Sequence, residues 1–331
     1  MATPDRAHQP RPLYLLDNLS TGRLSNVDKL LAHHPHVVML RGRAGDLLRS
    51  GRVPLRGADV FHLAASVGVS LVLESPQQML ANNLGETAAV LEAAAQQGAR
   101  RVLLASSSEV YGRCVDPPLR EDGPLVFGPT TAPRWSYGMA KALDEHLALD
   151  LHRQGRLDAV VVRFFNTIGP RQRGRYGMVV PRFVAAAVAG KPLEVHGTGL
   201  QSRTFCDVRD AVDCLARLMA CDAAAGEVVN VGGGTQTSIV QLARQVADLA
   251  AEARQTDPPP IVHVPYAEVY GEAFEDPQAR APDVGKVQTL VGWSATRPLG
   301  STLSELLKDA ADATGVDSLG PAAGGGTAEA L

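Results

Sequence analysis

Tyr137 and Lys141 stand four residues apart in WSYGMAK (135–141), inside a helical pattern. On a helix that spacing puts both side chains on one face. A phenol ordinarily loses its proton near pH ~10, and a neighbouring ammonium favours the phenolate, so such a pair makes a general base usable near neutral pH. Tyrosine and lysine also fall four apart on many solvated helix faces, so the pair needs a chemical partner. LLASSSEVYG (103–112) offers one: a buried strand pattern runs into Ser106, Ser107 and Ser108, then Glu109. A parallel sheet presents its functional groups at the carboxyl ends of its strands. The plainer reading is that these serines cap the following turn.

The elements that must position these groups alternate along the chain. Apolar runs at LYLL (13–16), VVML (37–40), DVFHLAA (59–65), RVLLASSS (101–108) and AVVVRFF (159–165) are separated by helical patterns. That alternation predicts βαβ units and a parallel sheet covered by helices on both faces. A helix is expected over 78–98, closed by a glycine suited to a left-handed cap directly before a strand. Beyond residue 166 the alternation fades into helices near 181–189, 209–220, 238–254 and 301–312, separated by GTG (197–199) and DPPP (257–260). NVGGGTQ (230–236) reads as a loop leading into the helix at 238, not as a phosphate loop.

Composition narrows the partners. The 331 residues carry 32 basic and 35 acidic side chains, interspersed, for a formal charge of -3. No block of one sign offers a nucleic-acid or membrane patch, so a small-molecule ligand is expected. Cys114, Cys206, Cys214 and Cys221 lack metal-ligand spacing and follow no secretory leader, so they read as reduced thiols of a cytoplasmic protein with no metal site. No apolar run reaches the ~18 residues of a membrane span.

Taken together, these segments resemble the extended short-chain dehydrogenase/reductase family, in particular its nucleotide-sugar epimerases, dehydratases and decarboxylases. The likeness runs from about residue 13 to 312 and includes FHLAA (61–65), RFFNTIGPRQRGRYGMVVPRF (163–183), SRTFCDVRD (202–210) and RAPDVGKVQTLVGW (280–293). It implies an α/β fold, a Rossmann-like doubly wound parallel sheet with a smaller C-terminal substrate lobe. Residues 1–165 would bind NAD, with 202–225 returning to that domain; 166–314 would mainly bind substrate, and 315–331 would be a disordered tail. The resemblance makes Ser107 the catalytic hydroxyl, Tyr137 the base and Lys141 its lysine, with Glu109 as a further acid or base. It assigns cofactor contacts to Asp17 with Asn18, Leu63, Ala64, Ala65, Tyr137 and Lys141, and places Asn83 in support. Sugar-nucleotide contacts fall to Ser108, Asn166, Arg203 and Arg280, where guanidinium forks suit a diphosphate. Helices 78–98 and 136–154 correspond to those that pair subunits in relatives, which implies a homodimer.

LYLLD reads as the second strand of such a sheet, with Asp17 as the acidic group for the ribose hydroxyls. The residues before it, MATPDRAHQPRPLYLL, hold no glycine, and Pro4, Pro10 and Pro12 oppose a central strand. The first strand, its Gly-rich turn and its helix are therefore expected to be missing. A start placed too far downstream is favoured over a truly shortened chain, because loss of a central strand leaves unpaired edges. After VVML, Gly42 is followed by Arg43 where relatives carry an acid for adenine, which weakens that contact or moves it to Asp46.

The implied reaction is redox-neutral: Tyr137 takes the proton of a sugar 4-hydroxyl held by Ser107, hydride leaves C4 for NAD, and a 4-keto sugar results. Return of hydride to the other face gives a 4-epimer of a UDP-hexose or UDP-hexuronate, the outcome favoured here. Loss of a neighbouring group first gives a UDP-glucuronate decarboxylase or a 4,6-dehydratase; Glu109 keeps the former open, and Ser108, where an aspartate is expected, argues against the latter. A catalytically silent sugar-nucleotide-binding protein is the alternative of another class.

Overall fold

The computed structural model describes residues 11–113, 117–172, 174, 178–271 and 275–314. The expectations on residues 1–10, on Cys114 and on the tail 315–331 lie outside the described residues.

Strand β1 (Leu13–Asp17) pairs in parallel with β2 (Val37–Arg41), Leu13 opposite Val37 and Asp17 opposite Arg41. Helix α1 (Asp28–His33) joins them and α2 (Ala44–Arg49) follows. A second parallel sheet runs in the order β10-β5-β4-β3, built from β3 (Asp59–His62), β4 (Arg101–Ser107), β5 (Asp158–Phe164) and β10 (Val228–Val231). Val102 to Leu104 and Ala159 to Val162 are fully buried, as strands covered on both faces must be. The expected strand 59–65 ends at His62, and the rest of FHLAA turns into a loop that leads to α3 (Val69–Glu74).

Helix α4 (Pro76–Gln97) starts with proline in its first turn and stops at Gly98, whose φ of 71° makes a left-handed cap before β4. Helix α5 (Ser136–Arg153) lies between β4 and β5 in the chain, and both helices pack on the strands through Leu91, Ala94, Ala148 and Leu151.

Beyond β5 come β6 (Thr167–Ile168), α6 (Val179–Val188), β7 (Leu193–His196), β8 (Ser202–Thr204), β9 (Cys206–Asp207) and α7 (Val208–Ala220). After β10 follow β11 (Gln236–Ser238), α8 (Ile239–Arg254), β12 (Ile261–Val264), α9 (Tyr266–Tyr270), β13 (Ala279–Arg280), α10 (Gly285–Val291) and α11 (Leu299–Thr314). Strand β8 lies between β11 and β13, β7 pairs with β12, and β6 with β9. The sequence shows none of these small sheets, because strands of two to four residues are too short to display a period. Helix α7 packs on the main sheet through Cys214, Leu215 and Leu218 against Leu103, Val160 and Val162, whereas α6, α8 and α11 enclose a separate cluster around Phe183, Leu242 and Leu303.

The β1-β2 pair and the four-stranded sheet are not hydrogen-bonded to each other. In a doubly wound sheet ordered 3-2-1-4-5-6, the first strand lies between the second and the fourth. With β1 in the second position and β3 in the fourth, the break falls where that first strand belongs, and among the described residues no strand pairs across it. Both pieces still rest on one apolar cluster: Tyr14, Leu16, Leu40 and Val60 pack against Leu48, Val53, Leu55, Val90 and Ala93. Among the described residues no helix is long and apolar enough to cross a membrane, and no group of three or more His, Cys, Asp or Glu side chains is arranged to hold a metal ion.

Candidate active site

Strand β4 ends at Ser107 and the chain tightens into a 3₁₀ turn over Ser108–Tyr111. Ser107 does cap that turn, its Oγ accepting from the Glu109 N–H at 3.2 Å. Helix α5 approaches the turn so closely that a Cβ on Gly138 would lie 2.4 Å from the Glu109 carbonyl oxygen. Only glycine allows that approach, and it brings its neighbour Tyr137 to the cavity wall beside Ser107, whose hydroxyl favours the ionised phenol.

Ser107, Ser108, Glu109, Tyr137 and Lys141 all line one cavity of about 560 Å³, a size suited to a small-molecule ligand. Leu63, Ala65, Asn166, Arg203 and Arg280 share its wall. Ala64, Asp17, Asn18 and Asn83 do not. Asp17 and Asn18 are exposed at the carboxyl end of β1, where they close the next turn by accepting from the Leu19 and Ser20 N–H groups. Asn83 is buried on α4 and clamps the loop after β3, accepting from Ser66 N–H at 2.7 Å and donating to Ser66 O at 3.1 Å. Arg43 is held by Glu86 at 2.6 Å and Asp46 by Arg49 at 2.7 Å, so neither lies free beside Asp17.

The electrostatics around Tyr137 depart from the simple expectation. Lys141 Nζ donates to Asp144 Oδ2 at 3.1 Å. Burial, followed by the charges of Glu109 and Asp144, holds the Tyr137 phenol above its ordinary range, and the Ser107 hydroxyl opposes this. Beneath the site, Glu145 takes two bonds from Arg163 at 2.9 and 2.8 Å and one from the Ser106 hydroxyl at 2.5 Å, which fixes α5 to the sheet one turn after Lys141.

Glu109 is the most heavily bonded acid of the cavity. Arg134 donates to it at 2.6 and 3.1 Å and Arg280 at 2.6 Å. Burial pushes its carboxyl up, but Arg280 and Arg134 outweigh that and hold it well below the usual carboxylate range. Arg203 is bound to Asp276 at 2.5 Å, and Asn166 donates to Thr204 O at 3.0 Å. Arg134 is a residue that the sequence pattern misses: lying three residues before Tyr137 does not mark it as a partner of Glu109. His196 and Tyr270, joined at 3.0 Å, line the far end of the cavity and carried no sequence signal at all.

Relatives can be compared on this geometry. The chain is 36% identical over 284 residues to a UDP-N-acetyl-alpha-D-glucosaminuronate decarboxylase of Bacillus cytotoxicus, covering 84% of each chain. It is 31% identical to UDP-glucuronic acid decarboxylase 5 of Arabidopsis thaliana, covering 86% of this chain and 78% of the relative. Among solved structures, the dTDP-glucose 4,6-dehydratase DesIV of Streptomyces venezuelae superposes with a TM-score of 0.78 at 23% identity, covering 92% of this chain and 89% of that one. The UDP-glucuronic acid 4-epimerase of Bacillus cereus superposes with a TM-score of 0.75 at 25% identity, covering 90% and 91%. The family model described as the NAD dependent epimerase/dehydratase family matches residues 11–232, a span that holds both sheet pieces, Ser107, Tyr137 and Lys141; the chain belongs to that family and is an enzyme whose cofactor is NAD.

Proposed function

We propose that the protein decarboxylates a UDP-hexuronate, UDP-glucuronate or its 2-acetamido analogue, to the corresponding UDP-pentose. The observation that carries the reading is the Glu109 carboxylate held between Arg134 and Arg280 in the same cavity as Ser107 and Tyr137. In that cluster one acid faces two guanidinium groups, while Arg203 is matched by Asp276. The surplus positive charge suits a substrate carboxylate, and among the described residues Arg280 Nη2 is buried without a hydrogen-bond partner. Both decarboxylase relatives compared above match this chain over more than four fifths of its length, and both are named for UDP-hexuronate substrates.

The nicotinamide end of NAD fits the wall beside Tyr137. Leu63 is 52% exposed and Val67 38% exposed at the carboxyl end of β3, an apolar cradle that a flat ring would cover, with Lys141 and Tyr137 next to it. When bound, NAD accepts the C4 hydride and returns it at the end of the cycle. Tyr137 takes the proton of the 4-hydroxyl, and Ser107 bonds the same oxygen. A ketone at C4 lies β to the C6 carboxylate, so the C5–C6 bond breaks with its electron pair moving into a C4–C5 enolate and CO₂ leaving. A proton from water then adds at C5, and Tyr137 returns its proton to the C4 oxygen as the hydride comes back. As CO₂ leaves, the negative charge moves from the substrate carboxylate to the C4 oxygen; Glu109 stays ionised and therefore acts by electrostatics and orientation rather than by giving up a proton.

Inversion at C4, the outcome favoured by the sequence pattern, uses the same Ser107 and Tyr137 but must retain C6. Incubation with UDP-glucuronate, UDP-N-acetylglucosaminuronate and NAD, with CO₂ and the nucleotide sugars quantified, separates the readings. Release of one CO₂ per UDP-pentose is expected; a 4-inverted hexuronate with no CO₂ would overturn decarboxylation, and binding without turnover would favour the silent alternative. We also assign a homodimer formed through α4 and α5, where Leu84, Leu143 and Leu147 border one shallow apolar surface.

A further inference from the structure

Behind Tyr137 and Lys141 lies a set of buried polar groups to which the reaction above gives no part. Asp144, on the turn of α5 after Lys141, is fully buried and does not line the cavity, whereas Lys141 does. The Lys141 ammonium donates to it at 3.1 Å. On the far side, the buried Thr87 hydroxyl of α4 lies 3.2 Å from Nε2 of His62 of β3, which is buried as well. A buried ion pair is weak evidence for stability, since apolar residues of similar volume fill such space at least as well. A carboxylate bonded to the lysine of the base has a more direct consequence.

We propose that Asp144 is the positioning residue of the base: its carboxylate holds the Lys141 ammonium and offsets its charge, and so sets the pH at which Tyr137 gives up its proton. The inference rests on Tyr137 acting as the base. The groups around that phenol are accounted for. Ser107 faces it from β4, and Glu109, itself held by Arg134 and Arg280, faces it from the 3₁₀ turn. Lys141 and Asp144 share its helix, with Thr87 and His62 beyond Asp144; Glu145 is tied to Arg163 of β5. The charges of Glu109 and Asp144 both oppose the phenolate. Removing the Asp144 charge leaves the ammonium uncompensated within one helical turn of the phenol, which favours ionisation.

The test uses the full chain and four variants: Asp144→Asn, Asp144→Ser, Asp144→Glu and Tyr137→Phe. Ultraviolet difference titration against Tyr137→Phe isolates the ionisation of this one tyrosine without requiring turnover, and the acid limb of kcat/KM on a UDP-hexuronate reads it in catalysis. Asp144→Asn and Asp144→Ser should move both to lower pH by about one unit with KM little changed, while Asp144→Glu keeps the original values. Curves for the folded neutral variants that coincide with the parent, or move to higher pH, would overturn the proposal. So would failure of both neutral variants to fold while Asp144→Glu folds, which would make the residue a structural ion-pair partner. Full activity of Tyr137→Phe would instead overturn the base itself.

Discussion

Arg280 Nη1 donates to Glu109 Oε1 at 2.6 Å across 171 residues of chain, joining β13 to the turn that follows β4. Arg134 holds the other side of the same carboxylate. The two arginines therefore fix Glu109 against the cavity wall, and each depends on the other's geometry. Replacing Arg280 by Lys keeps a positive charge and loses the planar fork. Loss of one charge-assisted hydrogen bond is worth about 1.5–3 kcal/mol, so kcat/KM on a carboxylated sugar nucleotide should fall about tenfold to a hundredfold. Steady-state kinetics on UDP-glucuronate and on UDP-glucose binding check it: the loss should be confined to the carboxylated substrate.

Tyr137→Phe removes the only hydroxyl that α5 contributes to the described cavity wall beside Ser107. Turnover should drop by about 10²–10⁴, the range of general acid–base catalysis, with an unchanged circular dichroism spectrum. Ser107→Ala should lose less, because Tyr137 remains, and the two losses should be less than additive since both act on one oxygen. Additive losses would mean that the two residues serve separate steps.

How much of this was readable in advance follows from the length over which each feature is encoded. β4 and β5 are runs of seven residues buried on both faces, and α4 declares itself by its helical pattern closed at Gly98, although it starts two residues earlier than that pattern predicts, so the frame stands out in the chain. Ser107, Tyr137 and Lys141 sit within short distinctive segments. The clamp on Glu109 is different: Arg134 and Arg280 reach it only because two distant segments fold onto one turn, and nothing local to Arg134 announces that contact. Asp144 was overlooked because a carboxylate three residues after a lysine reads as an exposed helix pair, and burial is not encoded in that spacing. The spacing predicts that Lys141 serves Tyr137; the side-chain hydrogen bond that the structure gives Lys141 runs to Asp144.

Arg163 and Glu145 form a buried pair in which the guanidinium meets both carboxylate oxygens, with Ser106 on the same acid. Arg163→Leu leaves Glu145 charged and buried with no counter-ion. A loss of about 3–5 kcal/mol in urea unfolding is expected. The double variant Arg163→Leu/Glu145→Leu should recover a large part of it, because no isolated charge remains. If the single variant lost less than about 1 kcal/mol, water must already reach Glu145, and the pair would contribute little to fixing α5.

Leu143 and Leu147 are 51% and 42% exposed on α5, one helical turn apart, beside Leu84 of α4. Exposed leucines on α5 beside the half-buried Leu84 of α4 favour a partner with the same surface, since a two-fold interface is self-complementary. Sedimentation of the full chain should give twice the chain mass, and Leu143→Arg/Leu147→Glu should give the single mass with the helical spectrum retained. A parent protein that sediments as a monomer at all concentrations would remove the dimer assignment.

His62 gives the fold a pH dependence of predictable sign. Burial, and secondarily the Lys141 ammonium, lowers its pKa to about 4, so the folded protein keeps the ring neutral. In the unfolded chain an ordinary histidine titrates near ~6.5. Between those values the unfolded state binds the extra proton, so stability is complete above about 6.5 and is lost as pH falls toward about 4. At 4% exposure little solvent screening applies, and the full swing amounts to about 3 kcal/mol. Carboxylates also titrate in this window, so the comparison must be with His62→Gln, which preserves a donor toward Thr87 and cannot ionise. The difference in unfolding free energy between parent and variant should grow by about 3 kcal/mol in the parent's favour from pH 4 to pH 7. Parallel curves would mean that the ring is protonated in the folded state, and that the carboxylate of Asp144 behind Thr87 reaches it.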